Sequence, residues 1–164
     1  MKLTYLFFVL SFLFLSAYFL FAQDKQVPFP DNWEKLNLVE EGEITKGNPL
    51  YAIVPGLHRT YLNDVAYEHF KKYIKDYKAG KEAPSFPEGS LIVFVNFEDK
   101  KGQKPRLILV MRKDKGYNQT GGWGWEGFKA DRSRIVREPD KDCANCHYKG
   151  AKDWDGAFFT HYKE

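Results

Sequence analysis

Two cysteines and a histidine near the C-terminus carry the clearest chemical signal in the sequence. Cys143 and Cys146 stand three residues apart, and His147 follows at once, in the order C-x-x-C-H. This pattern is the attachment motif of a c-type haem. In such a motif the two thiols bond to the haem and the adjacent histidine becomes an axial ligand of the iron. We therefore expect one haem c, covalently bound through Cys143 and Cys146, with His147 as the metal ligand.

Two other uses of the same residues compete with haem attachment. A redox pair formed by Cys143 and Cys146 would need a thioredoxin-like βαβ context, which the short C-terminal tail does not offer. A zinc site could use both thiols and His147, but it needs a fourth ligand and the sequence has no second C-x-x-C. Haem attachment consumes both cysteines of the chain and leaves no free thiol.

An apolar segment at the N-terminus indicates export. Lys2 supplies a basic start, residues 3–21 are almost wholly apolar, and the chain becomes polar after Ala22. This pattern is typical of a secretory signal peptide over residues 1–22. The apolar run is also long enough to span a bilayer, so an uncleaved membrane anchor is the alternative. Both interpretations predict a periplasmic or otherwise exported domain, which suits haem c because cytochrome c maturation takes place outside the cytoplasm.

The composition describes one folded domain. The chain has 164 residues, a formal charge of +3 and 17% aromatic residues. This length is enough for one domain with a sizeable core, and the aromatic content argues against disorder. The mild positive charge does not indicate a nucleic-acid-binding protein, whose basic excess is usually larger and concentrated on one face. Two cysteines are too few for a disulfide-rich scaffold.

The first half of the exported chain predicts a leading segment, a strand and a helix. Residues 23–50 form a polar leading segment of the domain, interrupted by prolines and glycines. A short strand is indicated over 58–62. A helix follows, with Asn63 or Asp64 as its N-cap and Gly80 as its stop, because apolar residues recur at helical spacing between them.

The second half predicts strands and a final helix. Residues 90–97 and 106–113 are nearly continuous apolar runs joined by a charged loop, which indicates an antiparallel hairpin. Residues 121–128 predict a third strand, and their glycines leave room for close approach by a flat ligand. The sequence therefore predicts an α+β fold, mainly an antiparallel β-sheet with a few helices and a C-terminal haem attachment helix. The haem-binding domain is expected to span residues 51–164.

The sixth coordination position of the iron decides which function the haem has. A ligand there favours electron transfer, whereas an open position lets small molecules bind. The candidate ligands are Met111, His58, His69 and His161. Met111 lies in an apolar strand, where filling the core is the usual role of methionine, and His69 is expected to be exposed beside the helix lysines. We expect an open or weakly occupied position, with a six-coordinate electron carrier as an alternative.

Several motifs occur in an order that resembles the cytochrome P-460 family and its relative cytochrome c′-beta. The resemblance runs from about Trp33 to Phe159. It rests on His58-Arg59-Thr60-Tyr61-Leu62-Asn63, Pro87-Glu88-Gly89-Ser90, Arg112-Lys113-Asp114, Gly122-Trp123, the C-x-x-C-H motif and the segment from Asp155 to Thr160. The family implies a β-rich haem fold, often dimeric, with a five-coordinate iron. One branch oxidises hydroxylamine with a lysine-cross-linked haem and a distal carboxylate, and the other binds nitric oxide or carbon monoxide under an apolar, phenylalanine-capped face.

The resemblance assigns Phe94 and Leu109 to the positions of that lysine and that carboxylate. Phe94 stands five residues after Gly89, Leu109 stands four before Lys113, and neither strand offers a lysine or a carboxylate nearby. Oxidising hydroxylamine needs a base near the iron, and an apolar wall offers none, whereas a neutral diatomic gas needs no proton partner. We therefore expect Phe94 and Leu109 to line the open haem face, with ordinary core packing as the alternative.

The N-terminal segment, the C-x-x-C-H motif and the resemblance together predict an exported monohaem c-type cytochrome that is closer to the gas-binding branch of the family. It is expected to bind small gases and to have an associated electron-transfer role. The alternative is a hydroxylamine or nitric oxide oxidoreductase, in which Arg112, Arg59 or His58 would have to supply the polar chemistry. Whether the protein is an enzyme stays open. The expected partners are a small diatomic ligand, a redox protein and a second copy of the chain. No nucleic acid is expected, and a membrane only if the N-terminal segment is retained.

Overall fold

A computed structural model describes residues 26–159, without the side chains of residues 118–120. The predicted signal peptide over residues 1–22 and the candidate ligand His161 lie outside the described residues. Between residues 26 and 159, no helix is long and apolar enough to cross a membrane.

Five antiparallel strands form the body of the domain, and neighbouring strands in the sheet are also neighbours in the sequence. The strands are β1 (Asn37–Ile44), β2 (Gly56–Leu62), β3 (Leu91–Phe97), β4 (Pro105–Lys113) and β5 (Trp123–Lys129). The α-helices are α1 (Asp64–Lys78), between β2 and β3, and α2 (Asn145–Gly150), near the C-terminus. This arrangement confirms the predicted α+β fold with a mainly antiparallel sheet.

The leading segment contributes a strand to the sheet. A short 3-10 turn, Trp33–Lys35, precedes β1, which pairs along its length with β2. A bulge between Leu38 and Glu40 shifts the register of this pair. Although glutamates are poor strand formers, pairing and burial in the folded sheet override that weak preference. The sheet therefore extends beyond the strands that the sequence predicts.

Helix α1 begins where the sequence predicts and is tied to β3 by its cap. The Asn63 side-chain oxygen accepts hydrogen bonds from the backbone N–H groups of Ala66, at 3.1 Å, and Leu91, at 3.0 Å. Its amide group donates to the carbonyl of Gly89 at 2.8 Å. One asparagine thus caps the helix and fixes the start of the next strand.

The buried face of α1 includes His69, which corrects the expectation that this histidine is exposed. Its side chain is 8% exposed, and its ring lies 4.8 Å from that of Tyr73 and 4.3 Å from that of Phe86. Residue 69 stands three positions after the fully buried Ala66, so it lies on the same helix face. Burial lowers the pKa of His69 below its usual value.

The two faces of the sheet carry separate hydrophobic cores. On one face Val27 and Trp33 of the leading segment pack with alternate residues of the strands, including Val93 and Val95. The opposite face packs against α1 and the C-terminal segment, and this core includes four paired strand residues, Leu62, Ile92, Met111 and Trp125. We call these four the helix-side row. Because side chains alternate along a strand, a residue two positions away from a member of this row, along the same strand, lies on the same face of the sheet.

Candidate haem site

The C-x-x-C-H motif lies on one continuous helical segment. A π-helical turn, Asp140–Ala144, runs directly into α2, so that Cys143 lies in the π-helical turn and Cys146 lies in the first turn of α2. Cys146 is exposed, whereas Cys143 is partly buried. Burial, reinforced by the negative charge of Asp142, raises the pKa of the Cys143 thiol to about 12. A reactive redox cysteine has a lowered pKa, so this environment argues against the redox-pair alternative.

His147 is held in the orientation and protonation state that an iron ligand needs. Its Nδ1–H donates to the carbonyl of Gly156 at 2.7 Å, and this bond leaves Nε2 as the electron-pair donor. The ring packs 4.5 Å from that of Trp125 and 5.0 Å from that of Phe158. Burial lowers the pKa of His147, which favours the neutral imidazole. These features fit a haem whose iron is bound by His147.

A second row of paired residues crosses all five strands beside the helix-side row. Each member pairs with the next in the order Glu40, Thr60, Phe94, Leu109, Gly127. We call this set the cross-sheet row. It lies two residues, or roughly 7 Å, further along the strands than the row containing Trp125, which contacts His147.

The predicted lining residues occupy the centre of the cross-sheet row. Phe94 and Leu109 are directly opposite each other in the register of β3 and β4. Both side chains are partly buried, whereas Val93 and Val95, which flank Phe94, are fully buried on the opposite face. The structure therefore brings Phe94 and Leu109 together on the sheet face that also carries the contact to His147.

Gly127 ends the row, and the chain itself fills the space above it. A Cβ atom at this position would come within 2.7 Å of the Ile135 side chain and 3.0 Å of the Leu109 side chain. A Cβ atom at Gly124 would likewise come within 2.5 Å of Tyr117 and 2.6 Å of Val27. The glycines of β5 thus admit the chain's own side chains, and close approach by a flat ligand stays a prediction.

The other end of the row is polar and buried. Thr60 donates a hydrogen bond to the carboxylate of Glu40 at 2.7 Å, and the His58 Nε2 atom lies 3.9 Å from the same carboxylate. Glu40 is 4% exposed and His58 is 2% exposed. The His58 ring stacks on the Phe94 ring, with 5.1 Å between centroids and 16° between planes. We call Glu40, Thr60 and His58 the polar cluster.

Sequence reasoning missed Glu40 because it left open whether the leading segment forms a helix or a strand. Three glutamates occur in β1, and their spacing alone does not show which one is buried. The bulge between Leu38 and Glu40 decides it, because a shift of one residue moves a side chain to the other face. The wall beside Phe94 is therefore less uniformly apolar than β3 and β4 alone suggest.

Of the three residues considered for polar chemistry, only His58 shares a face with Phe94. Arg59 lies on the opposite face, where it bonds Glu41 at 2.7 Å and lies 5.1 Å from the centre of the Phe97 ring. Arg112 follows Met111 and so lies on that opposite face as well.

The described candidates for the sixth ligand all belong to packed regions. Met111 is 7% exposed and belongs to the core that packs against α1 and the C-terminal segment, where methionine commonly fills space. His69 lies between aromatic rings on α1, and His58 is stacked on Phe94. Among residues 26–159, no group of three or more histidine, cysteine or acidic side chains is arranged to hold a metal ion.

A five-stranded antiparallel sheet, followed by a helical segment that carries C-x-x-C-H, is the arrangement expected of a β-rich haem protein. The sequence profile of the family described as Cytochrome P460 matches residues 30–159, which is most of the chain. The chain therefore belongs to the cytochrome P460 family, and the resemblance is confirmed at the level of the family. No curated protein matches the chain.

Proposed function

We propose that the protein is an exported monohaem cytochrome that binds a small neutral diatomic gas, such as nitric oxide or carbon monoxide. Thioether bonds to Cys143 and Cys146 hold the haem, and His147 binds the iron. When bound, the haem supplies an iron with one open coordination position. The observation that carries this proposal is the direct pairing of Phe94 with Leu109, one row away from the row that contacts His147.

An apolar pair at the centre of the cross-sheet row suits a neutral ligand. Phe94 and Leu109 offer no hydrogen-bond partner, so a charged or strongly polar molecule would lose its hydration without compensation. Carbon monoxide and nitric oxide carry no proton and lose little on leaving water. The stacked His58 ring supports one side of the Phe94 ring and limits its movement. The pair therefore acts as a cap that admits small apolar ligands.

The spectrum of the protein made with a c-type maturation system tests the open position. Ferric and ferrous forms should show the high-spin bands of an ordinary c-haem, and these bands should shift when nitric oxide is added. A strongly red-shifted ferrous Soret band would indicate a cross-linked haem and would favour hydroxylamine chemistry. Low-spin bands that do not shift when the gas is added would indicate a six-coordinate electron carrier.

Substitution of the cap tests the roles of Phe94 and Leu109. We expect Phe94→Ala to speed gas association by about tenfold, which corresponds to roughly 1.4 kcal/mol off the barrier. Leu109→Ala should act in the same direction. Leu91→Ala is the matched control, because Leu91 is partly buried in the same strand but packs on the opposite face. Equal association rates for Phe94→Ala and Leu91→Ala would refute the assignment of the cap.

A second candidate function is oxidation of hydroxylamine or a related nitrogen compound. It is favoured by the buried Glu40 carboxylate, which is a base on the same sheet face as Phe94. It ranks second because two strand spacings, roughly 10 Å, separate Glu40 from Phe94, beyond the reach of direct proton transfer. Thr60 and His58 would have to relay the proton. Turnover of hydroxylamine that Glu40→Gln abolishes would establish this function in place of gas binding.

We further propose that residues 1–22 direct export, either as a cleaved signal or as a retained anchor. The proposal rests on the basic start and apolar run of the sequence and on the place where c-type haem is attached. The mass of the protein purified from the periplasm would distinguish the two forms. A redox partner protein and a second copy of the chain stay predictions, to be tested by electron-transfer kinetics and by sedimentation.

A further inference from the structure

A largely buried ion pair joins the end of β4 to the loop that follows α2. The Lys113 Nζ atom lies 2.6 Å from the Asp155 Oδ2 atom, and the two side chains are 12% and 10% exposed. The same ammonium group donates to the carbonyl of Gly121 at 2.9 Å and lies 4.8 Å from the centre of the Trp123 ring. These contacts are directed and shielded from water, unlike those of a surface ion pair.

Several contacts hold Asp155 in a left-handed backbone conformation. Its φ angle is +51°, in the region that glycine, asparagine and aspartate adopt more readily than other residues. Its carboxylate also accepts a hydrogen bond from the N–H of Phe86 at 3.0 Å, and its carbonyl accepts one from the Trp123 indole at 2.8 Å. Contacts with Lys113, Phe86 and Trp123 thus hold the loop at Asp155.

The residue after Asp155 is the hydrogen-bond partner of His147. Gly156 has a φ of +80°, and its carbonyl accepts the Nδ1–H bond of His147 at 2.7 Å. The position of this carbonyl depends directly on the backbone of Asp155, since the two residues are adjacent. A chain of contacts therefore runs from Lys113 through Asp155 and Gly156 to His147.

We propose that Lys113 and Asp155 are positioning residues that set the strength of His147 as the iron ligand, and this inference rests on the proposed haem site. A hydrogen bond from the outer nitrogen of a ligating histidine orients the ring and raises its basicity. Such a bond weakens steeply as its angle departs from the optimum, so the acceptor must be held still. The ion pair provides that restraint from a different part of the sequence.

A positioning role and a purely structural role predict different properties of the iron. An ion pair that only stabilised the loop would change the stability of the domain and leave the electronic properties of the haem unchanged. A positioning pair also changes the iron–histidine stretching frequency of the ferrous protein and its reduction potential. Neither measurement needs a gaseous ligand or turnover.

Asp155→Asn is the main test. Asparagine tolerates the left-handed backbone and can still accept the bond from Phe86, so the substitution removes the charge with little change of shape. We expect a lower iron–histidine frequency and a higher reduction potential, because a looser Gly156 carbonyl makes His147 a weaker donor. Lys113→Met, which removes the other partner, should shift both signals in the same direction. Lys113→Arg, which keeps the positive charge, should leave both signals closer to those of the wild type.

Glu41→Gln is the matched control. It disrupts the ion pair between Arg59 and Glu41, whose atoms are 2.7 Å apart on the opposite face of the sheet, and it should leave both signals unchanged. Wild-type frequency and potential in both Asp155→Asn and Lys113→Met would overturn the inference while leaving the proposed function intact. Failure of the wild-type protein to acquire haem would instead overturn the proposed function.

Discussion

The two sides of the candidate site are built in different ways. On the His147 side, the proposed ligand His147 and its hydrogen-bond partner Gly156 are nine residues apart, and a helix and the following loop bring them together. On the Phe94 side, the cross-sheet row draws one residue from each of five strands. The hydrogen bond of the first side joins two residues of one short segment, whereas the second side depends on the register of the whole sheet. Substitutions on the two sides should therefore fail differently, in haem attachment on one and in stability or ligand access on the other.

The largest effect is expected from the attachment cysteines. A Cys143→Ser, Cys146→Ser double substitution should abolish covalent haem, because no other cysteine occurs in the chain. The measurement is the mass of the denatured protein, which should lose the haem increment completely. A variant that keeps covalent haem would show that attachment uses another residue and would contradict the role given to α2.

A substitution at Gly127 tests how tightly the cross-sheet row is closed. We expect Gly127→Val to destabilise the domain by roughly 1–3 kcal/mol, the usual cost of overpacking, because its side chain would collide with Ile135 and Leu109. Denaturant titration of the haem-free and haem-bound protein would measure the change. Unchanged stability would mean that Ile135 moves freely and that this end of the row is open.

Removing the hydroxyl group of Thr60 tests the polar end of the same row. Thr60→Val takes one hydrogen bond from the buried Glu40 carboxylate and should cost roughly 1–3 kcal/mol of unfolding free energy. Thr45→Val is the matched control, because Thr45 is exposed just beyond β1. Covalent haem attachment should be normal in both variants. If Thr60→Val lost its haem, the separation between the two sides of the site would be wrong.

The smallest effect concerns pH. Burial lowers the pKa of both His69 and His147 in the folded protein, so the folded state binds fewer protons than the unfolded state just below the usual histidine pKa. The haem-free protein should therefore lose stability as the pH falls below about 6.5, and should be insensitive to these groups above that value. His69→Gln should flatten part of this dependence. A profile that does not change on this substitution would show that His69 titrates normally.

Local patterns predicted much of the fold correctly. The apolar runs over 90–97 and 106–113 correspond to β3 and β4, and Asn63 caps α1 as expected. These predictions succeed because strand alternation, helical spacing and capping depend on neighbours in the sequence. The exposure of His69 was predicted wrongly because its neighbouring lysines suggested a solvated face, whereas the packing of Phe86 from another segment decides its burial.

The sequence by itself determined the haem attachment motif, the order of the main strands and the family to which the chain belongs, because each rests on residue types at short, fixed spacings. Only the tertiary structure decided which residues share the face beside His147. The bulge in β1 places Glu40 next to Thr60, and the pairing of distant strands places Phe94 opposite Leu109. The contact between Lys113 and Asp155 likewise joins segments 42 residues apart. Register and long-range contact depend on how the whole chain packs, and no local pattern carries that information.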